Sequence, residues 1–249
     1  MKWKTHITKV EPNKLTVRGK SIDELIGKIS FAEAIYLILK GKLPDKNAAK
    51  LLDAILVSSI DHGVTPPSCI SARTSASCRV PISSAIASGI LTIGPVHGGA
   101  IENCMITLKK GIKQQNEDGI NSKTAALRII EEVGKSGEKI SGFGHRIHTD
   151  DPRTNKLISL AKELNLAGKG VEMAEAIADV FFSQGKKLPI NVDGAIAALL
   201  FDLDFPIEIA NAFFIMSRIP GLVAHIYEEI KYEKPMRTIN PDEAEFSPE

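Results

Sequence analysis

The chain has 249 residues, of which 43% are hydrophobic and 24% charged, an ordinary composition for a globular protein. Its 31 basic and 30 acidic side chains nearly cancel, which excludes a broad electrostatic surface for nucleic acid or for a membrane. The odd count of 3 cysteines indicates reduced thiols, and the chain begins without an apolar signal segment, so we expect a cytoplasmic protein.

Strand signals occur near the N-terminus. Apolar residues in the segment 5–18 flank the turn-forming residues 11–13, which predicts a short β-hairpin. Two capping-box patterns, each a serine followed three residues later by a glutamate, occupy residues 21–24 and 30–33. The second pattern predicts the start of a helix that ends at Gly41.

Helical signals dominate the rest of the chain. Leucines and isoleucines repeat at helical spacing over residues 51–56, and small residues over 82–93 predict a buried helix. Pro66-Pro67 interrupts the pattern, whereas Asp151 is predicted to cap a helix that begins at Pro152. Further helices are predicted at 98–110, 122–135, 153–165, 171–184, 192–202, 206–216 and 218–231, with a polar loop at 116–119 and an irregular stretch at 136–151. The fold is therefore predicted to be mainly α.

Three irregular segments between helices carry polar residues, and such segments are where functional side chains concentrate. They are the segments 94–99 with His97, 141–146 with His145, and 191–194 with Asp193. Each places an ionisable residue beside glycines, which allow a ligand to approach the main chain.

From the residues alone, each of these side chains has two interpretations. His97, before a helix N-terminus, is either a neutral hydrogen-bond donor to a developing oxyanion or a packing residue at a Gly-Pro turn. His145 is either a ligand-binding residue or part of an exposed basic loop. Asp193 is either a functional carboxylate or a helix N-cap, and His62 is either functional or a C-terminal helix cap.

Two apparent cofactor patterns are rejected. His145 and His148 have the spacing of two metal ligands, but the sequence offers no third ligand near them, so we expect no bound metal. The Gly142-Phe143-Gly144 run is too short for a dinucleotide-binding fingerprint and does not follow a strand.

Five segments resemble, in order, signature segments of the citrate synthase superfamily: LTVRGKSIDELIGKISFAEAIYLILKGKLP, GPVHGGA, SGFGHRIHTDDPR, NVDGAIAALLFDLDFP and SRIPGLVAHIYEE. The resemblance covers nearly the whole chain. It implies a mainly α, citrate synthase-like fold of two helical domains with a short N-terminal β-hairpin. We expect a large domain of residues 1–100 plus 206–249 and a small domain of residues 101–205.

The resemblance also implies roles for individual residues. His97 matches the histidine that stabilises the enol or enolate of acetyl-CoA, Asp193 the carboxylate that exchanges the methyl proton, and His145 the histidine that binds the oxaloacetate carbonyl. The residues expected to hold the substrate are His62, Arg146, Arg153, Arg218 and Arg237, the last in a neighbouring subunit's site, with Lys234 as its alternative. Coenzyme A is expected to contact Gly142, Phe143 and Gly144.

The compact length resembles citryl-CoA lyases, including the C-terminal module of ATP-citrate lyases, because the helices that lengthen the synthases are missing between residues 45 and 60. That module carries an aromatic residue where His97 keeps the synthase-like histidine. Cleavage of citryl-CoA is therefore the expected reaction, with citrate or methylcitrate synthesis and a non-catalytic scaffold as alternatives. We expect a coenzyme A thioester as substrate, no permanent cofactor, a homodimer or higher oligomer, and a citryl-CoA synthetase as a candidate partner.

Overall fold

The computed structural model describes residues 2–144 and 151–247. Contacts divide the chain into two compact units. Unit 1 consists of Met1–Ser58 and Ile101–Ala210, and unit 2 consists of Ser59–Ala100 and Asn211–Glu249. The units differ from the expected domains because residues 1–58 group with residues 101–210. A compact unit need not move as one body. The predicted domain boundaries therefore stay a prediction.

The N-terminal segment forms a small antiparallel sheet of three strands in the order β1-β2-β3, which confirms the predicted hairpin. The strands are β1 (Thr8–Glu11), β2 (Lys14–Val17) and β3 (Lys20–Ser21). In the β1–β2 register, Thr8 pairs with Val17 and Glu11 pairs with Lys14.

The rest of the described chain is helical, so the prediction of a mainly α fold is confirmed. In chain order the helices are α1 (Ile22–Leu25), α2 (Phe31–Lys40), α3 (Lys46–Ser58), α4 (Pro67–Ser77), α5 (Ile82–Leu91), α6 (Ala100–Asp118), α7 (Ser122–Ser136), α8 (Pro152–Glu163), α9 (Lys169–Ser183), α10 (Val192–Asp202) and α11 (Ala210–Tyr232), with 3-10 turns at Ile207–Ile209 and Pro241–Glu243.

Helix caps follow the sequence signals in most but not all places. Ser30 forms the predicted capping box at the start of α2, which ends at Gly41 in the left-handed conformation. Asp151 caps α8 with Pro152 as its first residue, as predicted. The capping box at residues 21–24 is wrong, because the Ser21 hydroxyl donates to the neighbouring Asp23 carboxylate and makes no cap hydrogen bond.

At three places where the sequence predicted an interruption between helices, the structure is helical. α6 runs through most of the expected loop at 116–119, where Lys169 Nζ donates to Asn116 Oδ1 at 2.7 Å. Pro67 begins α4, because proline is favoured in the first turn of a helix, where its missing N–H costs nothing. The helices expected at 206–216 and 218–231 form one helix, α11, with Pro220 inside it.

The core of unit 1 centres on α10, whose residues 195–200 are each at most 1% exposed. A helix that is apolar on all sides must be covered on all sides, and α8 and α9 both pack against it. The core of unit 2 is built from smaller side chains on α4 and α5 together with Leu222 and Ile226 of α11. A Cβ at Gly89 would lie 2.9 Å from the Ser68 carbonyl oxygen, so α5 approaches α4 too closely for any side chain there.

One helical segment, Ile207–Tyr232, is long and apolar enough to cross a bilayer by length and composition. Core helices pass the same test, and 44% of its most apolar stretch is buried within the protein. Leu222 and Ile226 of this segment belong to the unit 2 core, and its Glu229 is fully buried. We therefore read α11 as a core helix.

The N-terminus of α9 has no capping side chain of its own and is capped by the last residue of α10. The Asp202 carboxylate accepts hydrogen bonds from the N–H groups of Gly168, Gly170 and Val171 at 2.7, 2.7 and 3.1 Å. Burial raises the pKa of Asp202, and these three N–H groups partly offset that effect. The contact joins the ends of two core helices.

Replacement of Asp202 by Ala should lower the free energy of unfolding by about 2 kcal/mol, because three N–H groups at a helix N-terminus, two of them part-buried, lose their acceptor. Urea unfolding followed by circular dichroism measures the change. Asp53→Ala, at an exposed position of α3 in the same unit, is the control and should stay within about 0.5 kcal/mol. Equal effects of the two substitutions would contradict the assigned cap.

Candidate active site

His97 lies in a tight turn of unit 2 that is built on glycines. Gly94 and His97 exchange two backbone hydrogen bonds of 2.8 and 2.9 Å, which closes the turn. A Cβ at Gly99 would lie 2.7 Å from the Gly94 carbonyl carbon, and Gly98 has a φ of +74°. The HGG sequence is therefore needed to fold the segment that presents the imidazole just before α6.

The His97 ring is half-buried and held by two side chains. Its Nε2 lies 2.8 Å from the Ser68 hydroxyl at the start of α4. It also packs edge-on against Phe214, with ring centroids 6.0 Å apart. Phe214 also contacts Arg218, whose guanidinium carbon lies 4.7 Å from the ring centroid. Sequence analysis missed Ser68 and Phe214, since neither has a local signal in the sequence.

Burial lowers the pKa of His97, and the positive charges of Arg218 and His62 lower it further. The sequence attributed a neutral ring to the dipole of the following helix. In the structure the pKa of His97 is also lowered, but by desolvation and by nearby positive charges rather than by the helix dipole. A neutral imidazole donates one hydrogen bond and accepts another.

Two further predicted residues of unit 2 lie on adjoining segments. Arg218 is 3% exposed, and its Nε donates to the Ser59 carbonyl oxygen at 2.9 Å. His62 is exposed, in the turn that follows Ser59, and lies beyond the end of α3 at Ser58. The structure thus brings His62, His97 and Arg218 together in one unit, where the charges of His62 and Arg218 affect the His97 ring.

Asp193 lies in unit 1, half-buried in the first turn of α10. The interpretation of Asp193 as a helix N-cap is wrong, because Asn191 is the N-cap and its Oδ1 accepts from the Gly194 N–H at 3.1 Å. Asp193 is instead the second residue of α10.

The segment Gly142-Phe143-Gly144 is fixed to the residues that precede Asp193. Asn191 N–H donates to the Gly142 carbonyl oxygen at 3.0 Å, and Asn191 Nδ2 donates to the Gly144 carbonyl oxygen at 2.8 Å. The Gly144 N–H donates to the Pro189 carbonyl oxygen at 2.7 Å. The chain that leads into His145 is thus attached to the start of α10.

Glycine is required where these two segments meet. A Cβ at Gly142 would lie 2.8 Å from Gly194 Cα and 2.6 Å from Cys104 Sγ, and Gly142 has a φ of +88°. Burial raises the pKa of the Cys104 thiol well above its usual value, and the negative charge of Asp193 adds to this. Cys104 is therefore a neutral thiol that packs where Gly142 meets Gly194.

The remaining predicted residues have other partners or lie outside the described residues. Arg153 binds the Asp151 carboxylate through Nε and Nη2, at 3.0 and 2.8 Å, within unit 1. Arg237 Nε donates to Glu229 Oε1 of its own chain at 2.6 Å, so its role in a neighbouring subunit stays a prediction. His145 and Arg146 lie outside the described residues. Among residues 2–144 and 151–247, no three His, Cys, Asp or Glu side chains form a candidate metal site.

The His97 imidazole should titrate below the value of about 6.5 for a histidine in a peptide, because burial and two neighbouring positive charges disfavour its protonation. Nuclear magnetic resonance of ring-labelled histidine, assigned with His97→Gln, measures this pKa. Stability should therefore be lost as the pH falls through about 6.5, since only the unfolded state readily takes up that proton. A His97 pKa of 6.5 or higher would contradict the described environment.

Comparisons with known proteins agree with the motifs. A family model described as citrate synthase, C-terminal domain, matches residues 44–241. The chain is 30% identical over 225 residues to a citrate synthase of Haloferax volcanii, covering 88% of this chain and 57% of that protein. It is 32% identical over 227 residues to citrate synthase 2 of Bacillus subtilis, with 87% and 58% covered. The chain thus spans less than two thirds of these curated relatives.

Solved structures extend the comparison. The structure of citryl-CoA lyase from Hydrogenobacter thermophilus matches with a TM-score of 0.91 and 39% identity, over 99% of this chain and 95% of that one. An ATP citrate lyase mutant from Methanosaeta concilii, in complex with (3S)-citryl-CoA, matches with a TM-score of 0.82 and 26% identity, over 100% of this chain and 42% of that one. The resemblance seen in the motifs is confirmed, and the chain belongs to the citrate synthase family.

Proposed function

We propose that the chain is an enzyme that cleaves citryl-CoA into acetyl-CoA and oxaloacetate. The observation that carries this proposal is the match with a citryl-CoA lyase, at 39% identity and a TM-score of 0.91. The two curated citrate synthases are matched at the lower identities of 30% and 32%.

The proposed reaction uses three side chains, two of which transfer a proton. His145 takes the proton of the C3 hydroxyl of citryl-CoA, the carbon–carbon bond breaks, and the released electron pair enters the thioester as an enolate. His97 donates a hydrogen bond to the enolate oxygen. Protonated Asp193 then gives its proton to the terminal carbon, which yields acetyl-CoA and oxaloacetate. The roles of these residues are taken from the family resemblance.

The surroundings of His97 support its role. If the Ser68 hydroxyl donates to Nε2 at 2.8 Å, the ring proton is on Nδ1, which can then donate to the enolate oxygen. Placed donors of this kind contribute about 3–4 kcal/mol each to stabilising the transition state. The lowered pKa of His97 keeps the ring neutral at pH 7, so that it donates a hydrogen bond to the enolate oxygen and keeps its proton.

Asp193 needs a pKa above that of a free carboxyl, about 3.9, to act as a proton donor in cleavage and as a base in the reverse reaction. It lies in the first turn of α10, where the helix dipole favours the ionised carboxylate. Desolvation by bound substrate favours the neutral acid, and this effect is the larger of the two for a fully buried group. We therefore propose that Asp193 becomes an effective acid only when the substrate excludes water.

The carboxylates of the substrate are proposed to bind His62, Arg153 and Arg218, since guanidinium groups match carboxylates in a bidentate geometry. Coenzyme A is proposed to contact residues 142–144. A homodimer and a citryl-CoA synthetase partner belong to the same proposal and are motivated by the resemblance. A cytoplasmic location is also proposed, on the odd count of 3 cysteines.

A second candidate function is the condensation of acetyl-CoA or another acyl-CoA with oxaloacetate, as in citrate and methylcitrate synthases. It is favoured by His97 in the sequence PVHGG, which resembles the synthases, and by the identity of 30% and 32% to two proteins with that name. Because a catalyst accelerates a reaction in both directions, the residues are the same for both functions.

Purified protein supplied with citryl-CoA should release oxaloacetate, which malate dehydrogenase and NADH report in a continuous assay. Acetyl-CoA and oxaloacetate should be formed in equal amounts, with the oxaloacetate counted as the NADH oxidised. Hydrolysis of citryl-CoA to citrate and free coenzyme A, without oxaloacetate, would overturn the lyase proposal and favour the synthase.

Asp193→Asn should lower kcat for cleavage by at least about 100-fold, because the amide cannot transfer the proton, while the melting temperature changes little. The control is Asp179→Asn, an exposed position of α9, which should leave kcat unchanged. Activity of the Asp193→Asn protein equal to that of the control would show that another group protonates the enolate.

A further inference from the structure

One face of α11 holds the segment that carries His62. Arg218, Gly221 and His225 are three and four residues apart, so they lie on the same side of the helix. Each of them contacts a successive part of the segment 59–61. These contacts lie within unit 2 and have not been used in the mechanism above.

The first two contacts involve the main chain of the segment. Arg218 Nε donates to the Ser59 carbonyl oxygen at 2.9 Å. A Cβ at Gly221 would overlap the Ile60 carbonyl oxygen and lie 3.1 Å from Asp61 Cβ. The segment therefore packs directly on the helix backbone at that turn, and no side chain separates them.

The third contact is between two side chains. His225 Nε2 lies 3.0 Å from Asp61 Oδ1, and the His225 side chain is 13% exposed. Burial opposes ionisation of Asp61, but the N–H groups of Gly63 and His62 and the His225 ring outweigh it, so the pKa of Asp61 lies below its usual value. An ionised carboxylate can only accept, so the proton of this hydrogen bond belongs to His225 Nε2.

Asp61 thus connects α11 to the turn that contains His62. Its Oδ2 accepts from the Gly63 N–H at 2.8 Å, and its carboxylate also accepts from the His62 N–H. The backbone on both sides of the His62 α-carbon is held by one carboxylate, which is itself held by His225. An exposed side chain on a turn would otherwise have many orientations, and ordering it costs conformational entropy.

We infer that His225 is a positioning residue: through Asp61 it fixes the turn at 61–63 and so holds His62 at a set place relative to Arg218 for binding of the substrate's carboxylates. This inference rests on the proposed function, because it assigns His62 and Arg218 to one polyanionic substrate. His225 does not touch the substrate. It lowers the cost of binding by ordering His62 before the substrate arrives.

Replacement of His225 by Ala should raise KM for citryl-CoA about tenfold and change kcat by less than about threefold, as expected for a loss of binding common to ground state and transition state. His225→Gln should restore KM to within about threefold of the natural protein, since its amide nitrogen can take the place of Nε2. Tyr227→Ala, at an exposed position of the same helix, is the control and should leave both constants unchanged.

Asp61→Asn provides a second route if His225→Ala does not fold. It should raise KM in the same way, and where His225→Ala folds, the effects of the two substitutions should not add in the double variant, because the residues act as a pair. Fully additive effects would overturn the inference. An unchanged KM in His225→Ala would also overturn it, as would a KM rise that His225→Gln does not reduce.

The order of the His62 side chain is measured independently of turnover. In ring-labelled protein, the His62 resonance should broaden or move in His225→Ala, return in His225→Gln and stay unchanged in Tyr227→Ala. If the natural protein fails to cleave citryl-CoA, the proposed function fails, yet this resonance still tests the inference. A His62 signal that is the same in all four proteins would show that His225 does not position it.

Discussion

The structure depends on close contacts between main chains at which no Cβ atom can be accommodated. Gly99 packs against Gly94 in the turn that presents His97, Gly142 packs against Gly194 beside Asp193, and Gly221 packs against the segment that leads to His62. At each of these positions an irregular segment must lie against a helix or against itself. A single methyl group there would displace the segment that carries an ionisable side chain, and a misplacement of about 1 Å is enough to weaken catalysis strongly.

The environments of these side chains differ in ways that suit different roles. His97 is half-buried near two cationic residues, which favours its neutral form, whereas Asp193 lies at the positive end of a helix, which favours its charged form. In the proposed reaction, Asp193 must overcome this preference to deliver a proton. Exclusion of water by the substrate supplies the required change, so that acid strength and substrate binding are coupled.

Much of this could be predicted from the sequence, because the signals were local. The capping box at Ser30 and the N-cap at Asp151 each depend on residues a few positions apart. The helix expected at 82–93 forms as α5, but the expectation that it is buried was wrong, because only its Ala85 and Gly89 are buried. The loop expected at 116–119 was wrong, because polar side chains can equally form the exposed face of a helix. The break expected before residue 218 was also wrong, because α11 continues through Pro220 between buried neighbours. Ser68, Phe214 and His225 were missed because their partners are distant in sequence.

The central claim is that the chain breaks citryl-CoA through an enolate that a protein acid, Asp193, then protonates. Cleavage of citryl-CoA in deuterium oxide tests it most directly, with the acetyl-CoA product analysed by mass spectrometry. The account predicts one deuterium in the acetyl methyl group, because the acid exchanges its proton with solvent before it acts. Unlabelled acetyl-CoA, or only citrate and free coenzyme A, would contradict the account.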